Sequence, residues 1–208
     1  MSGDDPSIRP GELDRGPARR NRRGRAPRKV DPAYLERAAL HYLERFASSS
    51  ANLRRLLLQK VRRSAAAHGT DPEEGRAAVE ALILRFAGAG LLDDEAYARG
   101  RAASLHRGGA SSRTIRGKLA QKGIDGELAA AALAELGPGR DELDLAAACS
   151  FVRRRRLGCW RAGGLSPERR AKDLAALGRA GFDLGVARRV LACATREELD
   201  ELARQGCG

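Results

Sequence analysis

Two stretches of this 208-residue chain, KLAQKGIDGELAAAAL and AALGRAGFDLGVARRVL, superimpose without a gap when Gly123 is set on Gly181. Leu119 then falls on Leu177, Ile124 on Phe182, Asp125 on Asp183, Leu128 on Val186, Ala129 on Ala187 and Leu133 on Leu191. Apolar residues at i, i+1, i+4 and i+5 form one stripe on a helix, the glycine closes the helix before it, and the aspartate is placed to cap the turn between. A repeated supersecondary unit constrains the fold more than any single motif, because a unit this small must stack on its neighbours to bury a core.

A third copy lies upstream. LRRLLLQK (53–60) matches IRGKLAQK (115–122) at Leu53/Ile115, Arg54/Arg116, Leu57/Leu119, Gln59/Gln121 and Lys60/Lys122, but Val61 stands where the glycine should be, and an insertion, Arg62 to Thr70, precedes the next helix. The spacings of 62 and 58 residues suit three helices and their turns. Ala, Leu, Arg and Glu dominate beyond Val30, β-branched runs are scarce, and no stretch alternates with period two.

The fold class expected is therefore all-α: three tandem three-helix repeats forming an elongated, curved body. Asp31-Pro32, Asp71-Pro72 and Ser166-Pro167 mark helix starts, and Gly69, Gly90, Gly123 and Gly181 mark ends. About nine helices result. The divisions expected are a disordered basic arm (1–30), repeats at 31–92, 93–138 and 139–194, and a short C-terminal helix or tail (195–208). The arm carries nine Arg or Lys against four acidic residues, and Pro6, Pro10, Pro17 and Pro27 break any helix in it. His68 is expected in a loop-like stretch.

Net charge is +12, of which +7 falls on residues 31–208; a surplus of that size suits a polyanion or an acidic protein surface, without choosing between them. No run of eighteen apolar residues and no secretory signal is present, so a soluble, cytoplasmic protein is expected. Cys149, Cys159, Cys193 and Cys207 form no CxxC pair and are read as thiols, with no metal or other cofactor.

The joint between the first two units reads Gly90-Leu91-Leu92-Asp93-Asp94 with Tyr97-Ala98. It is followed by Ile115-Arg116 with Lys118-Leu119, by Lys122-Gly123-Ile124, and finally by Arg179-Ala180-Gly181-Phe182. In their order and spacing, from about Ala33 to Leu191, these elements closely resemble the RecX family of bacterial regulators of the RecA recombinase. Val61, the long insertion and Gly100, where a bulkier residue is more usual, depart from the family's pattern. The resemblance implies a non-catalytic modulator of recombination, DNA repair and the SOS response. Such a protein lodges in the groove of the RecA filament on single-stranded DNA and limits its growth, ATP hydrolysis, strand exchange and coprotease activity. Some members also bind DNA directly. The partners expected are the RecA filament and single-stranded or duplex DNA, with the chain itself a monomer.

Residue chemistry supplies a candidate stripe on the second helix of each unit: Arg54, Arg55 and Lys60; Arg113, Arg116, Lys118 and Lys122; Arg169, Arg170 and Lys172. FVRRRRLGCWR (151–161) adds Arg154 and Arg155 as the exposed members of four arginines expected to wrap one helix, at least one of the four pairing with an acidic neighbour. Trp160 is read as a core or junction residue before a base-stacking one. Aromatics are only 4% of the chain, against a binder built wholly on stacking platforms. Six engaged charges would give bare-DNA affinity a salt slope of roughly −4 to −5. At the joint, Leu91 and Leu92 are expected to plug the seam, Asp93 or Asp94 to cap the next helix, and Tyr97 to anchor its buried face. The adjacent carboxylates have no nucleophile or histidine beside them, so catalysis is not expected. Two alternatives stay open: a helix-turn-helix-like DNA-binding regulator, although only Gln121 offers a base-reading amide on the second unit's second helix, and a plain helical scaffold.

Overall fold

A computed structural model describes residues 27–137, 139–161 and 166–205. The expected basic arm and Cys207 fall largely or wholly outside these residues. The helices are α1 (Pro32–Leu43), α2 (Ser50–His68), α3 (Pro72–Gly88), α4 (Asp94–Arg107), α5 (Ser112–Ala120), α6 (Gly126–Ala134), α7 (Arg140–Arg155), α8 (Pro167–Arg179), α9 (Leu184–Ala192) and α10 (Arg196–Gln205), with a 3-10 turn at Gly158–Trp160. All regular structure among the described residues is helical.

Three cores follow one another along the chain. Leu35, Leu53, Leu57, Val79 and Phe86 are buried between α1, α2 and α3. Ala98, Ala102, Ile115, Leu119 and Leu133 fill the second, where alanines let α4 sit close on α5 and α6. Leu145, Val152, Leu177, Val190 and Leu191 fill the third, and α10 packs on α7 to bring in Leu199. The superimposed pairs behave alike: Leu119 and Leu177, Ile124 and Phe182, Ala129 and Ala187, and Leu133 and Leu191 are all buried.

Helix ends follow local chemistry. Asp31, Ser49, Asp71, Asp93, Ser111, Asp125, Ser166 and Asp183 each accept a first-turn N–H through the side chain. Gly69, Gly90, Gly123 and Gly181 all take positive φ, between 65° and 89°.

Several expectations are corrected. His68 is the last residue of α2, not part of a loop: the insertion after Val61 continues the helix for two turns, until Gly69 ends it. That extension has a use, since Ser64 Oγ accepts from Val30 N (2.9 Å) and His68 Nε2 lies 2.6 Å from the Pro27 carbonyl, so residues 27–30 run along α2. The four arginines do not all wrap α7: the helix stops at Arg155, and Arg156 takes φ 54°, reversing the chain so that Leu157 N reaches Val152 O. Leu91 does not plug the seam. Gly90 reverses the chain, Leu91 and Leu92 both donate to the Phe86 carbonyl, and only Leu92 turns inward, leaving Leu91 52% exposed.

Candidate functional site

The second helices of the three units, α2, α5 and α8, meet end to end through one repeated joint. At the first joint the N-cap Ser49 accepts from Asn52 N and donates its hydroxyl to the carbonyl of Lys122, just past the end of α5. At the second, Ser111 does the same for α5, and its hydroxyl and that of Thr114 each reach the carbonyl of Ala180 at 2.8 Å, just past the end of α8. One serine thus serves a free N–H of one helix and a free C=O of the next, and the two helix dipoles meet with opposite ends together.

A carboxylate locks each joint from the side. Asp94, at the start of α4, accepts from Ser50 N (2.7 Å); Asp144, on α7 and 2% exposed, accepts from Ser112 N (2.6 Å) and Ser112 Oγ (3.0 Å). Asp93, not Asp94, caps α4, by accepting from Ala96 N, which leaves Asp94 for the neighbouring unit. The closing glycines complete the fit. A Cβ on Gly123 would collide with Ala51 Cβ, and one on Gly181 would lie 2.7 Å from Ser111 Oγ.

On this column the stripe residues take different positions. Arg113, Arg116 and Lys118 stand exposed on α5 around the fully buried Ile115 and Leu119, and make no ion pair among the described residues. Lys122 and Arg55 come together from adjacent units on one atom, Asn52 Oδ1, at 3.2 and 2.7 Å. Arg54 is drawn to Glu80 of α3 (2.9 Å), and Lys60 Nζ lies 5.6 Å from the centre of the Tyr34 ring, so both are engaged inside the first unit. Arg169, Arg170 and Lys172 are exposed on α8.

Arg154 and Arg155 are exposed on the last turn of α7, Arg155 lying 5.9 Å over the Phe151 ring. Their neighbour Arg153 pairs with Asp200 of α10 at 2.5 Å, and Trp160 sits half-buried against the third core with Arg196 4.4 Å over its ring. Sequence reasoning missed Asp94, Asp144 and the two capping serines as the parts that hold the units together. The only signal was a polar pair, Ser49-Ser50 and Ser111-Ser112, opening a second helix twice.

Cys149, Cys159 and Cys193 are free thiols of the third unit. Burial pushes the Cys149 thiol up to about 12 and raises the other two. Among the described residues no three His, Cys, Asp or Glu side chains are grouped to hold a metal, and no helix is long and apolar enough to cross a membrane.

Fold and site together define a tandem helical-repeat protein that carries cations along an end-to-end column of second helices. Residues 93–133 match the family model described as RecX, second three-helix domain. The chain is 46% identical over 178 residues to the Regulatory protein RecX of Myxococcus xanthus, covering 85% of this chain and 94% of that one. It is 32% identical over 171 residues to the Regulatory protein RecX of Agrobacterium fabrum, covering 82% and 89%. The chain belongs to the RecX family of regulatory proteins. In fold it resembles a crystal structure of regulatory protein RecX (TM-score 0.56, 22% identity, 77% and 71% of the two chains). It also resembles that of RecX from Lactobacillus salivarius (TM-score 0.55, 19% identity, 82% and 97%).

Proposed function

We propose that this protein is a non-catalytic inhibitor of the RecA recombinase, acting on the nucleoprotein filament through the cations of its second helices. The observation that carries the reading is the exposed set Arg113, Arg116 and Lys118, continued by Lys122 and Arg55 at the first joint, on helices held end to end. A filament presents acidic groups at a helical repeat. Cations on rigid helices keep their spacing on meeting it and lose side-chain freedom alone, whereas a flexible basic segment would have to order its backbone as well.

On this reading the cytoplasmic partner is the RecA filament, and contact with bare DNA is weak, salt-sensitive and secondary. The test is ATP hydrolysis by purified RecA on single-stranded DNA. Substoichiometric addition of this protein slows it; unchanged hydrolysis at excess protein, with the filament assembled, contradicts the reading.

The helix-turn-helix alternative fits less well. A recognition helix offers its N-terminal residues to base edges in the major groove. Here α5 begins at Ser111 and Ser112, 0% and 2% exposed, and α2 at Ser49 and Asn52, 0% and 4% exposed, all against the next unit. Sequence-selective duplex binding that survives competitor DNA would favour that alternative.

A further inference from the structure

Beside the first joint lies a cleft of about 400 Å³, lined by Tyr42, Phe46 and Ala47 of the first unit and by Ala96, Tyr97, Gly100, Arg101, Ser104 and Lys122 of the second. Three of the chain's eight aromatic rings meet there. Phe46 is 53% exposed and is held against Tyr42 at 5.3 Å between centroids, with Arg45 5.9 Å over its ring. Burial pushes the Tyr97 phenol up, and Arg101 beside it opposes that shift.

Among the described residues the cations at this place have no acidic partner. Arg101 and Lys122 line the cleft, no carboxylate does, and Arg55 joins Lys122 on Asn52 Oδ1. Asn52 is a buried hub whose Nδ2 donates to Ser48 Oγ (2.8 Å) and lies 3.3 Å from the Tyr42 hydroxyl, so two positive side chains are gathered on one neutral oxygen. Arg55 also reaches the Gln121 carbonyl (3.5 Å) at the C-terminal end of α5, and Asp94 is near enough to act on the Tyr97 phenol, so the cations are partly compensated; they form no ion pair and keep N–H donors for a phosphate.

Gly100 gives the independent sign. It lies inside α4, where glycine costs helix stability relative to alanine, yet its φ is not positive and a Cβ there would meet nothing within 4 Å. Neither backbone nor packing requires it. What a side chain at 100 would do is enter the cleft.

We propose that this cleft is a subsite for single-stranded nucleic acid, seating one unstacked base against Phe46 and Tyr97 with the adjoining phosphate on Lys122 and Arg101. Ring walls beside unpaired cations suit a base and its phosphate together, whereas an acidic peptide would use the cations and leave the rings unmatched. The inference rests on the reading above only for the source of the strand, the DNA of the filament.

The test is fluorescence anisotropy of the intact protein at low salt with two labelled oligomers: an oligothymidylate, and a deoxyribose-phosphate backbone of equal length without bases. Phe46→Ala and Gly100→Leu each weaken oligothymidylate binding at least about fivefold, the low end of what base stacking contributes, and leave the abasic oligomer unaffected. Gly100→Leu replaces an exposed helical glycine and keeps the fold, so the test survives if Phe46→Ala unfolds. Equal losses on both oligomers, no loss on either, or no measurable oligothymidylate binding by the wild type overturns the subsite. Loss of filament inhibition with oligonucleotide binding unchanged would show that the cleft takes protein, and also overturns it. No RecA is present in the anisotropy assay, so failure there is distinct from unchanged ATP hydrolysis.

Discussion

One hydrogen atom in place of a methyl at position 123 lets the first two units meet. An alanine there would need a left-handed backbone, at about 1–2 kcal/mol, and would drive its methyl into Ala51. Gly123→Ala is therefore expected to destabilise by more than the backbone cost alone, and denaturant melts measure it; Val61, at the equivalent place in the first unit, lies inside α2 and is buried in the first core against Gly75. Gly100→Ala has the opposite sign. With open space around it, it should stabilise by about 0.5–1 kcal/mol, read in the same melts. Cys149 sets an alkaline limit. Its thiol titrates near 12 when folded, against 9.0 ordinarily, so its contribution is present below pH 9 and is lost as pH rises from there toward 12. Cys149→Ala should flatten the decline in stability over that range. The glycines were legible in the sequence because positive φ leaves few other residues. The engagement of Arg54 by Glu80 and of Lys60 by Tyr34 was not, because repeat matching aligns second helices and carries no information on what α1 and α3 place beside them.

Among the helices, the second of each unit does the joining, and its first two residues decide how. Ser49-Ser50 and Ser111-Ser112 supply a hydroxyl for the carbonyl of the next unit and an N–H for its carboxylate. In the third unit the pair is Ser166-Pro167, and proline has no N–H to give, so the same joint cannot form again at the start of α8. Ser111→Ala with Thr114→Val removes both hydroxyl donors to Ala180 and leaves its carbonyl unmet. The expected loss is about 1–3 kcal/mol with helical content by circular dichroism unchanged. Helix number, order and caps could be read from punctuation because each is a local choice of residue. The length of α2 could not: a missing glycine reads as an irregular loop until Ser64 and His68 are seen holding residues 27–30, a contact more than thirty residues distant in sequence.

At the scale of the whole molecule, three small cores gain by stacking, and the stacking arranges charge. The repeat makes the all-α architecture legible from residue order alone, since no single unit could bury enough surface by itself. The candidate stripe was legible as composition but not as a surface. Arg113, Arg116 and Lys118 stand out, Lys122 and Arg55 converge at the joint, and Arg54 and Lys60 turn to partners of their own. The most direct measurement is single-strand-dependent ATP hydrolysis by RecA, titrated with wild-type protein and with Arg113→Glu, Arg116→Glu and Lys122→Glu combined, both shown by thermal melts to be folded. If the column of second helices is the inhibitory face, the wild type slows hydrolysis at substoichiometric ratios and the folded triple variant does not. Equal inhibition by the two proteins would contradict it.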